Sequence, residues 1–296
     1  MNQAQVLKLG TRGSQLALAQ AQAVADAIGD AEVIPVASTD SEPGDKERFV
    51  RGVERALLAG EVDLGVHSAK DVPGDRPDEL RLAGVARRED PLDAYVGAAS
   101  SLNDVEAGSR IGTSSLRRRS QLLASHADLE VVELRGNVDT RLRKLAEGDY
   151  DGIVVAAAGL RRLGRDSEIS FTFAISELTP APGQGSLAIE TRRGDASAAA
   201  EAARISDHDA LVELTAERAA VVALKASCQT PVGVCARIGD NELVMHGYAG
   251  LPDGSEWVRD RVAGDREQPV ALGEALAERM LVAGARDILE RAGAAL

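Results

Sequence analysis

Apolar runs and helical repeats alternate through the first third of the chain. VLKLG at 6–10, EVIPVAS at 32–38 and VDLGVHS at 62–68 are short apolar runs, which are typical of buried strands. SQLALAQAQAVADAIG at 14–29, which ends at a glycine, and FVRGVERALLAG at 49–60 have the apolar spacing of helices. This alternation predicts an α/β domain built on a parallel sheet.

A second run of similar architecture follows REDPLDA at 88–94. This segment is charged, and its proline favours an extended backbone, so we interpret it as a hinge. The run after it has predicted strands near 110–113, 130–134 and 152–156 and predicted helices near 115–125 and 137–147. SLAIET at 186–191 predicts one more strand, with which the chain returns to the first domain.

From about residue 207 the pattern becomes α+β. A long helix over 207–226 precedes three strand-like runs, VGVCARI, ELVMHGYAG and SEWVRDRVAG, and a closing helix over about 268–292. The sequence therefore predicts three domains. Residues 1–87 and 184–204 form the first, 88–183 the second and 205–296 the third.

Five polar segments lie where a predicted strand turns into the next helix. They are TRGSQLAL (11–18), HSAKDVP (67–73), GTSSLRRR (112–119), LRGNVDTRL (134–142) and GLRRLG (159–164). In doubly wound sheets such turns line one edge, where ligands bind, and the N–H groups that begin helices favour anions. Residues 110–165 hold ten arginines and one lysine against seven acids, although the whole chain has a net charge of −13. This concentration of arginine predicts a polyanionic ligand that carries carboxylates.

Each of these residues, taken alone, has a simpler interpretation. Arg117–Arg119 are also consistent with the solvated face of a helix, and Asp71 with an ordinary turn residue. Ser114, Ser115 and Asn137 are also consistent with helix N-caps. The presence of five such turns at one edge favours a binding site.

Composition limits the classes of function further. Only five of the 34 basic residues are lysines, and an acidic, lysine-poor surface argues against nucleic acid or an anionic membrane as partner. The same composition suits a salt-rich cytoplasm, although a GC-rich genome also replaces lysine by arginine. Since no apolar run approaches the ~20 residues of a membrane span and the first residues lack a signal-peptide pattern, we expect a cytoplasmic protein.

Metal centres and disulfide frameworks are not predicted. The four histidines are scattered without metal-ligand spacing, and two cysteines in a chain of this length form no disulfide framework. We expect a monomer, because no long apolar surface stripe calls for a partner.

Together, eight segments resemble the porphobilinogen deaminases, also called hydroxymethylbilane synthases, in the order of that family and over nearly the whole chain. The segments are TRGSQLALAQ, VHSAKDVP, REDPLDA, GTSSLRRR, LRGNVDTRL, YDGIVVAAAGLRRLG, PGQGSLAIE and SCQTPVG. VHSAKDVP and GTSSLRR are specific motifs, whereas GLRRLG alone is weak. The resemblance implies two periplasmic-binding-protein-like domains joined by a hinge and a small α+β domain.

The resemblance also implies a reaction. An enzyme of this kind joins four porphobilinogen molecules head to tail, with loss of ammonia at each step, and releases hydroxymethylbilane for haem biosynthesis. Its primer is a dipyrromethane cofactor, and Cys228 matches the cysteine that holds it through a thioether. Cys235 matches no functional position, and we expect it to be a packed strand residue.

The remaining roles are carried over by position. Asp71 matches the catalytic carboxylate, which stabilises the cation left when ammonia departs from the substrate. The positions that match contacts to the cofactor are Ser68, Lys70, Thr113, Ser115, Arg117, Arg118 and Gln184. The positions that match contacts to the substrate are Arg12, Ser14, Phe49, Arg135, Arg141 and Arg162.

The chain departs from the family pattern in two places. TDSEPGDKERF at 39–49 is shorter than the usual basic, glycine-rich loop, although it keeps Lys46 and Phe49. Asp139 stands where the family usually has glycine, and we expect its carboxylate to point into solvent at the start of a helix.

Two other classes of function remain as alternatives. Two α/β domains with an anion-lined cleft also describe binding modules, which need neither Cys228 nor Asp71. A nucleic-acid protein that uses Arg117–Arg119 is disfavoured by the charge of −13 and by the shortage of aromatic residues for base stacking.

Overall fold

The computed structural model describes residues 6–37, 48–73, 76–226, 230–240 and 242–294, with the backbone alone at 48 and 49. None of the helices in these ranges is long and apolar enough to cross a membrane.

The elements of these ranges are numbered in chain order. The strands are β1 (Leu7–Arg12), β2 (Ala31–Val36), β3 (Leu64–Ser68), β4 (Leu80–Ala86), β5 (Asp93–Gly97), β6 (Arg110–Gly112), β7 (Glu130–Val132), β8 (Gly152–Ala156), β9 (Phe171–Thr172), β10 (Leu187–Arg192), β11 (Val232–Gly239), β12 (Glu242–Gly250) and β13 (Trp257–Asp265). The α-helices are α1 (Gln15–Ile28), α2 (Arg48–Leu58), α3 (Leu116–Ser125), α4 (Val138–Ala146), α5 (Ala157–Arg162), α6 (Ala196–Arg204), α7 (His208–Ala223), α8 (Pro269–Met280) and α9 (Arg286–Ala294).

The first sheet has the strand order β2-β1-β3-β10-β4. β1 is parallel to β2 and β3, whereas β10 is antiparallel to β3 and β4. Helix α1 begins at Ser14, whose Oγ accepts a hydrogen bond from the Ala17 N–H at 3.3 Å, and it ends before Gly29, whose φ is 100°. Its apolar face shares a core with Leu9 and Leu64, and full burial of such a leucine contributes roughly 1.5–3 kcal/mol.

The second sheet repeats this arrangement with the order β7-β6-β8-β5-β9. β6 is parallel to β7 and β8. Strand β5 is antiparallel to β8 and β9, just as β10 is antiparallel to its two neighbours in the first sheet. Ile111, Val154 and Phe173 lie in a core on this sheet. The prediction of two α/β sheets of similar architecture is confirmed.

The third sheet is an antiparallel meander of β11, β12 and β13. Helices α7 and α8 contribute to the core on this sheet, in which Met245, Leu276 and Met280 are fully buried. Cys235 lies in β11 and is buried, which confirms that it is a packed strand residue. The α+β character predicted for the C-terminal part is also confirmed.

The outer edge of β11 is covered by acceptors from other elements. The N–H of Val234 donates to the Pro180 carbonyl at 3.0 Å. Two carboxylates of α7 accept from the next outward N–H groups, Glu217 from Ala236 at 2.7 Å and Glu213 from Ile238 at 3.0 Å. Three N–H groups that this edge strand would otherwise leave unpaired therefore have acceptors within the chain.

An aromatic stack connects the third sheet to α3. The rings of Tyr248 and Trp257 lie 6.4 Å apart, and the Arg259 guanidinium lies 5.4 Å and 5.6 Å from their centroids. The Tyr248 hydroxyl is hydrogen-bonded to the Ser120 hydroxyl at 2.8 Å, and Arg259 donates to the Gln121 amide oxygen at 3.3 Å. Both contacted residues belong to α3.

The chain divides into two compact units. Met1–Glu89 and Gly185–Leu211 form one unit, and Asp90–Gln184 and Val212–Leu296 form the other. The second unit contains both the second and the third sheet. The three-domain division stays a prediction.

The closing helix differs from its prediction. It is interrupted by a π-helical turn at Leu281–Ala285, in which Gly284 has a φ of 106°, and α9 begins only after it. A left-handed glycine breaks the helical hydrogen-bond series, which apolar periodicity alone does not reveal.

Candidate active site

The first candidate surface lies at one edge of the first sheet. β1 ends at Arg12 and β3 ends at Ser68, and these adjacent parallel strands bring their carboxyl ends to the same edge. We call this surface the first rim; its residues are Arg12, Ser14, Ser68, Lys70 and Asp71. All five are partly exposed. Five of the predicted site residues are thus brought to one edge.

Backbone and side-chain hydrogen bonds hold the first rim in place. The Thr11 hydroxyl donates to the Val66 carbonyl at 3.1 Å, which links the ends of β1 and β3. Lys70 and Asp71 lie in a single 3₁₀ turn, Ala69–Asp71, and the Ala69 N–H donates to the Ser186 carbonyl at 3.0 Å. The Asp71 carboxylate is therefore carried on a turn that is anchored at its first residue.

The second candidate surface lies at the corresponding edge of the second sheet. The parallel strands β6, β7 and β8 turn there into α3, α4 and α5. We call this surface the second rim; its predicted site residues are Thr113, Ser115, Arg117, Arg118, Arg135, Arg141 and Arg162. Ser115 caps α3 and Asn137 caps α4, as their simpler interpretation predicts. The cap role of Ser115 leaves its predicted contact to the cofactor untested.

Arg117 and Arg118 are buried against one carboxylate. Arg117 donates to Asp93 through Nη1 at 2.7 Å and Nη2 at 3.3 Å. Arg118 donates to the same carboxylate through Nε at 3.0 Å and Nη2 at 2.7 Å. The Gln184 amide also donates to it, at 2.9 Å. We call Asp93, Arg117, Arg118 and Gln184 the Asp93 cluster.

The electrostatics of the Asp93 cluster keep its carboxylate ionised. Burial opposes ionisation of Asp93, but the charges of Arg117 and Arg118 and the hydrogen bonds from Arg117 and Gln184 outweigh it, so the pKa lies well below its usual range. Removal of one partner from such a buried ion pair typically costs about 3–5 kcal/mol. Arg117 and Arg118 are therefore neither a solvated helix face nor freely mobile side chains.

The other arginines of the second rim are more exposed. Arg135 is 65% exposed and pairs with Glu133 at 2.7 Å. Arg141 donates through Nε to the Gly136 carbonyl at 2.8 Å and through Nη2 to the Ser114 hydroxyl at 3.3 Å. Arg162 is the last residue of α5 and is partly exposed. Arg135 is therefore exposed at the edge of the sheet, and Arg141 and Arg162 are partly exposed there.

Asp139 does not point into solvent alone, and that expectation was wrong. Its carboxylate pairs with Nη1 of Arg165 at 3.0 Å, and Arg165 also binds Glu168. The pair joins the first turn of α4 to the segment after α5. The aspartate is therefore partly neutralised by Arg165, since opposite charges at this distance attract even when partly exposed.

Several predicted residues fall outside this description. Cys228 and Lys46 lie outside the described residues, and of Phe49 only the backbone, in α2, is described. The last described residue before Cys228 is Ala226, and Thr230 is the first after it.

Sequence reasoning missed Asp93, which it treated only as part of the hinge. The acid opens an otherwise apolar strand, DAYVG, and a charge in a buried strand requires a partner of opposite charge. That requirement is the signal that points from Asp93 to the arginines of GTSSLRRR.

Family models match most of the chain. "Porphobilinogen deaminase, dipyromethane cofactor binding domain" matches residues 7–200, and "Porphobilinogen deaminase, C-terminal domain" matches residues 211–282. The chain belongs to the porphobilinogen deaminase family. It is 42% identical to the porphobilinogen deaminase of Thiobacillus denitrificans over 96% of this chain and 98% of that protein. It is 43% identical to that of a Roseiflexus species over 96% and 99%.

Among the solved structures that match this chain is the periplasmic VFT2 domain of Bordetella pertussis BvgS. It is 16% identical, with a TM-score of 0.41, and the likeness covers 70% of this chain and 90% of that one.

Membership in the porphobilinogen deaminase family shows that the chain is an enzyme, so the alternative function as a binding module is not supported. Enzymes of this family polymerise porphobilinogen with loss of ammonia, and the matched domain binds a dipyrromethane cofactor. The Asp93 cluster fits a group that carries carboxylates. It holds two guanidinium charges against one carboxylate, and the Nε of Arg117 is a buried donor without a hydrogen-bond partner among the described residues.

Proposed function

We propose that this member of the porphobilinogen deaminase family adds four porphobilinogen molecules to a dipyrromethane primer that Cys228 holds through a thioether, and that it releases hydroxymethylbilane. The observation that carries the proposal is the family match over residues 7–200 together with SCQTPVG at the matching position. When bound, the cofactor supplies the terminal pyrrole carbon to which the first substrate is joined.

The exposed and partly exposed arginines of the two rims bind the carboxylates of the substrate in this proposal. Each pyrrole carries an acetate and a propionate, and a planar guanidinium binds a carboxylate through two parallel hydrogen bonds. Arg12, Arg135, Arg141 and Arg162 supply such groups at the two rims. Their partial exposure at the edges of the sheets supports the role, because part of each guanidinium-bearing side chain is accessible to an incoming carboxylate.

Asp71 is the proposed catalytic carboxylate. Loss of ammonia leaves positive charge on the substrate, and a fixed carboxylate stabilises that charge and accepts or returns the pyrrole N–H proton. The anchored 3₁₀ turn supports this role, since a catalytic group is effective when it is held in place before the reaction. Ser14, Ser68 and Lys70 lie on the same rim and are the proposed polar contacts.

The test is the intact mass of the purified protein beside two cysteine variants. The wild type and the Cys235→Ser variant should carry the extra mass of two linked pyrrole units, and Cys228→Ser should lack it. A bare mass in the wild type, persisting after incubation with porphobilinogen, would refute the proposed function. The extra mass in Cys228→Ser would instead refute the attachment site.

We also propose that the enzyme acts as a monomer in the cytoplasm, in a cell with an acidic proteome. The net charge of −13 and the five lysines support an adaptation to salt. Analytical ultracentrifugation at low and high salt tests the oligomeric state.

A further inference from the structure

We propose that Asp93 is a positioning residue for cofactor assembly: it fixes the guanidinium groups of Arg117 and Arg118 in the orientation that receives a carboxylate of the dipyrromethane. The proposal rests on the proposed role of these arginines as cofactor contacts. It assigns a function to Asp93, which the sequence analysis treats only as part of the REDPLDA hinge.

The geometry of the Asp93 cluster restrains both side chains. Arg118 presents Nε and Nη2 to one oxygen of Asp93, and Arg117 presents Nη1 to the other. Each guanidinium also has a backbone contact. Nη1 of Arg117 donates to the Thr179 carbonyl at 2.8 Å, and Nη1 of Arg118 donates to the Val154 carbonyl at 3.0 Å. With contacts on at least two sides, neither plane can rotate without breaking hydrogen bonds.

Two partners in this network, Thr179 and Gln184, are themselves held by further hydrogen bonds. Gln121, one turn beyond Arg117 in α3, donates to the Thr179 carbonyl at 3.0 Å and accepts from the Thr179 N–H at 2.8 Å. Gln184 donates to the Pro91 carbonyl at 2.6 Å as well as to Asp93. The carboxylate therefore lies at the centre of a network that joins α3, β5 and the segment before β10.

Charge explains why Asp93 is required for the cofactor rather than for folding alone. The cluster holds two positive charges and one negative charge, and Asp93, Arg117 and Arg118 are 0%, 4% and 5% exposed. One further carboxylate would balance it. Without Asp93 the two buried guanidinium groups would repel each other, and they would lose their fixed orientation before a ligand binds.

The test compares Asp93→Asn, Asp93→Ala and Asp104→Asn in the full chain. Asn has nearly the shape of Asp but no charge, and Ala leaves space that formate can enter. Asp104 is an exposed acid of the same unit, hydrogen-bonded to Ser100 and Ser101, and serves as the control. For each protein, the monodisperse folded fraction is collected, and the share that carries the cofactor mass is measured together with the unfolding temperature.

We expect the loaded share to fall about tenfold or more in Asp93→Asn, as for the loss of an interaction of about 1.4 kcal/mol or more. Formate, added while the Asp93→Ala protein is supplied with porphobilinogen, should raise loading at least severalfold, and chloride at equal ionic strength should not. Asp104→Asn should load like the wild type.

Full loading of folded Asp93→Asn would overturn the inference, even if its unfolding temperature fell, because Asp93 would then be structural only. If Asp93→Asn does not fold, the Asp93→Ala result decides: loading that formate does not raise would overturn the inference. In either of these two cases the wild type still carries the pyrrole mass. A wild type without the pyrrole mass would instead refute the proposed function itself.

Discussion

Replacement of Glu217 by glutamine should destabilise the second compact unit. The Glu217 side chain is fully buried, and its two oxygens accept from the Gly183 N–H at 2.6 Å and the Ala236 N–H at 2.7 Å. Through these bonds α7 holds both the segment before Gln184 and the edge strand β11. Glutamine keeps one acceptor but places an NH₂ group against the second N–H.

The expected cost follows from these contacts. A hydrogen bond to a charged group contributes about 1.5–3 kcal/mol, so the loss of one such bond and weakening of the other cost about 2–3 kcal/mol. For a unit of this size each kcal/mol lowers the melting temperature by about 2–4 °C, which gives a decrease of about 4–12 °C. Glu217→Ala should cost more, because two buried N–H groups then lack their acceptor and a cavity remains.

Thermal unfolding followed by circular dichroism measures this effect, with Glu274→Gln, an exposed change on α8, as the matched control. A Glu217→Gln protein that melts within about 1 °C of the wild type would refute the reasoning, because the expected decrease is several times larger. A control that melts as low as Glu217→Gln would show that the loss of any carboxylate, rather than of this buried one, causes the change.

Three further predictions concern single acids. Asp71→Asn should retain the cofactor mass but polymerise about 10²-fold or more slowly, since general acid–base groups contribute about 10²–10⁴; a near-normal single-turnover rate would contradict its role. Asp139→Asn should weaken the Arg165 pair and change stability by less than about 1 kcal/mol, because the pair is only partly buried; a larger loss in urea unfolding would contradict this estimate. Burial and the nearby Glu190 carboxylate raise the pKa of Glu54, so the folded state favours its protonated form. The stability that Glu54 contributes is therefore fully present below the pKa of Glu54 in the unfolded state, and it is lost as the pH rises through the pKa in the folded state. The Glu54→Gln variant should flatten this decrease in the free energy of unfolding. Urea titration at several pH values measures it. An unchanged pH dependence in that variant would contradict the assignment to Glu54.

The architecture of the sheets was predictable from local pattern. β1, β3 and β8 are apolar runs bounded by polar turns, and α1 has both a serine cap and a terminal glycine. Such signals depend on neighbours a few residues apart, and they also placed Asp71 and Arg141 after the strands that carry them.

The Asp93 cluster was not predictable in the same way. Asp93 meets Arg117 across 24 positions and Gln184 across 91, and nothing local distinguishes a buried arginine from one on a solvated helix face. Strand β5 was missed for a related reason. It opens with this acid directly after a proline-containing segment, so its apolar character is confined to a few residues.

Trp257 gives the enzyme an internal optical probe. It is the only tryptophan in the sequence, and it lies beside the Arg259 guanidinium in the stack with Tyr248. Its emission therefore originates from the third sheet alone, at the strand that Arg259 links to α3. A fluorescence transition that precedes the loss of helical signal would mark detachment of this sheet, so the enzyme can report, without any label, on the part of its fold that follows Cys228 in the chain.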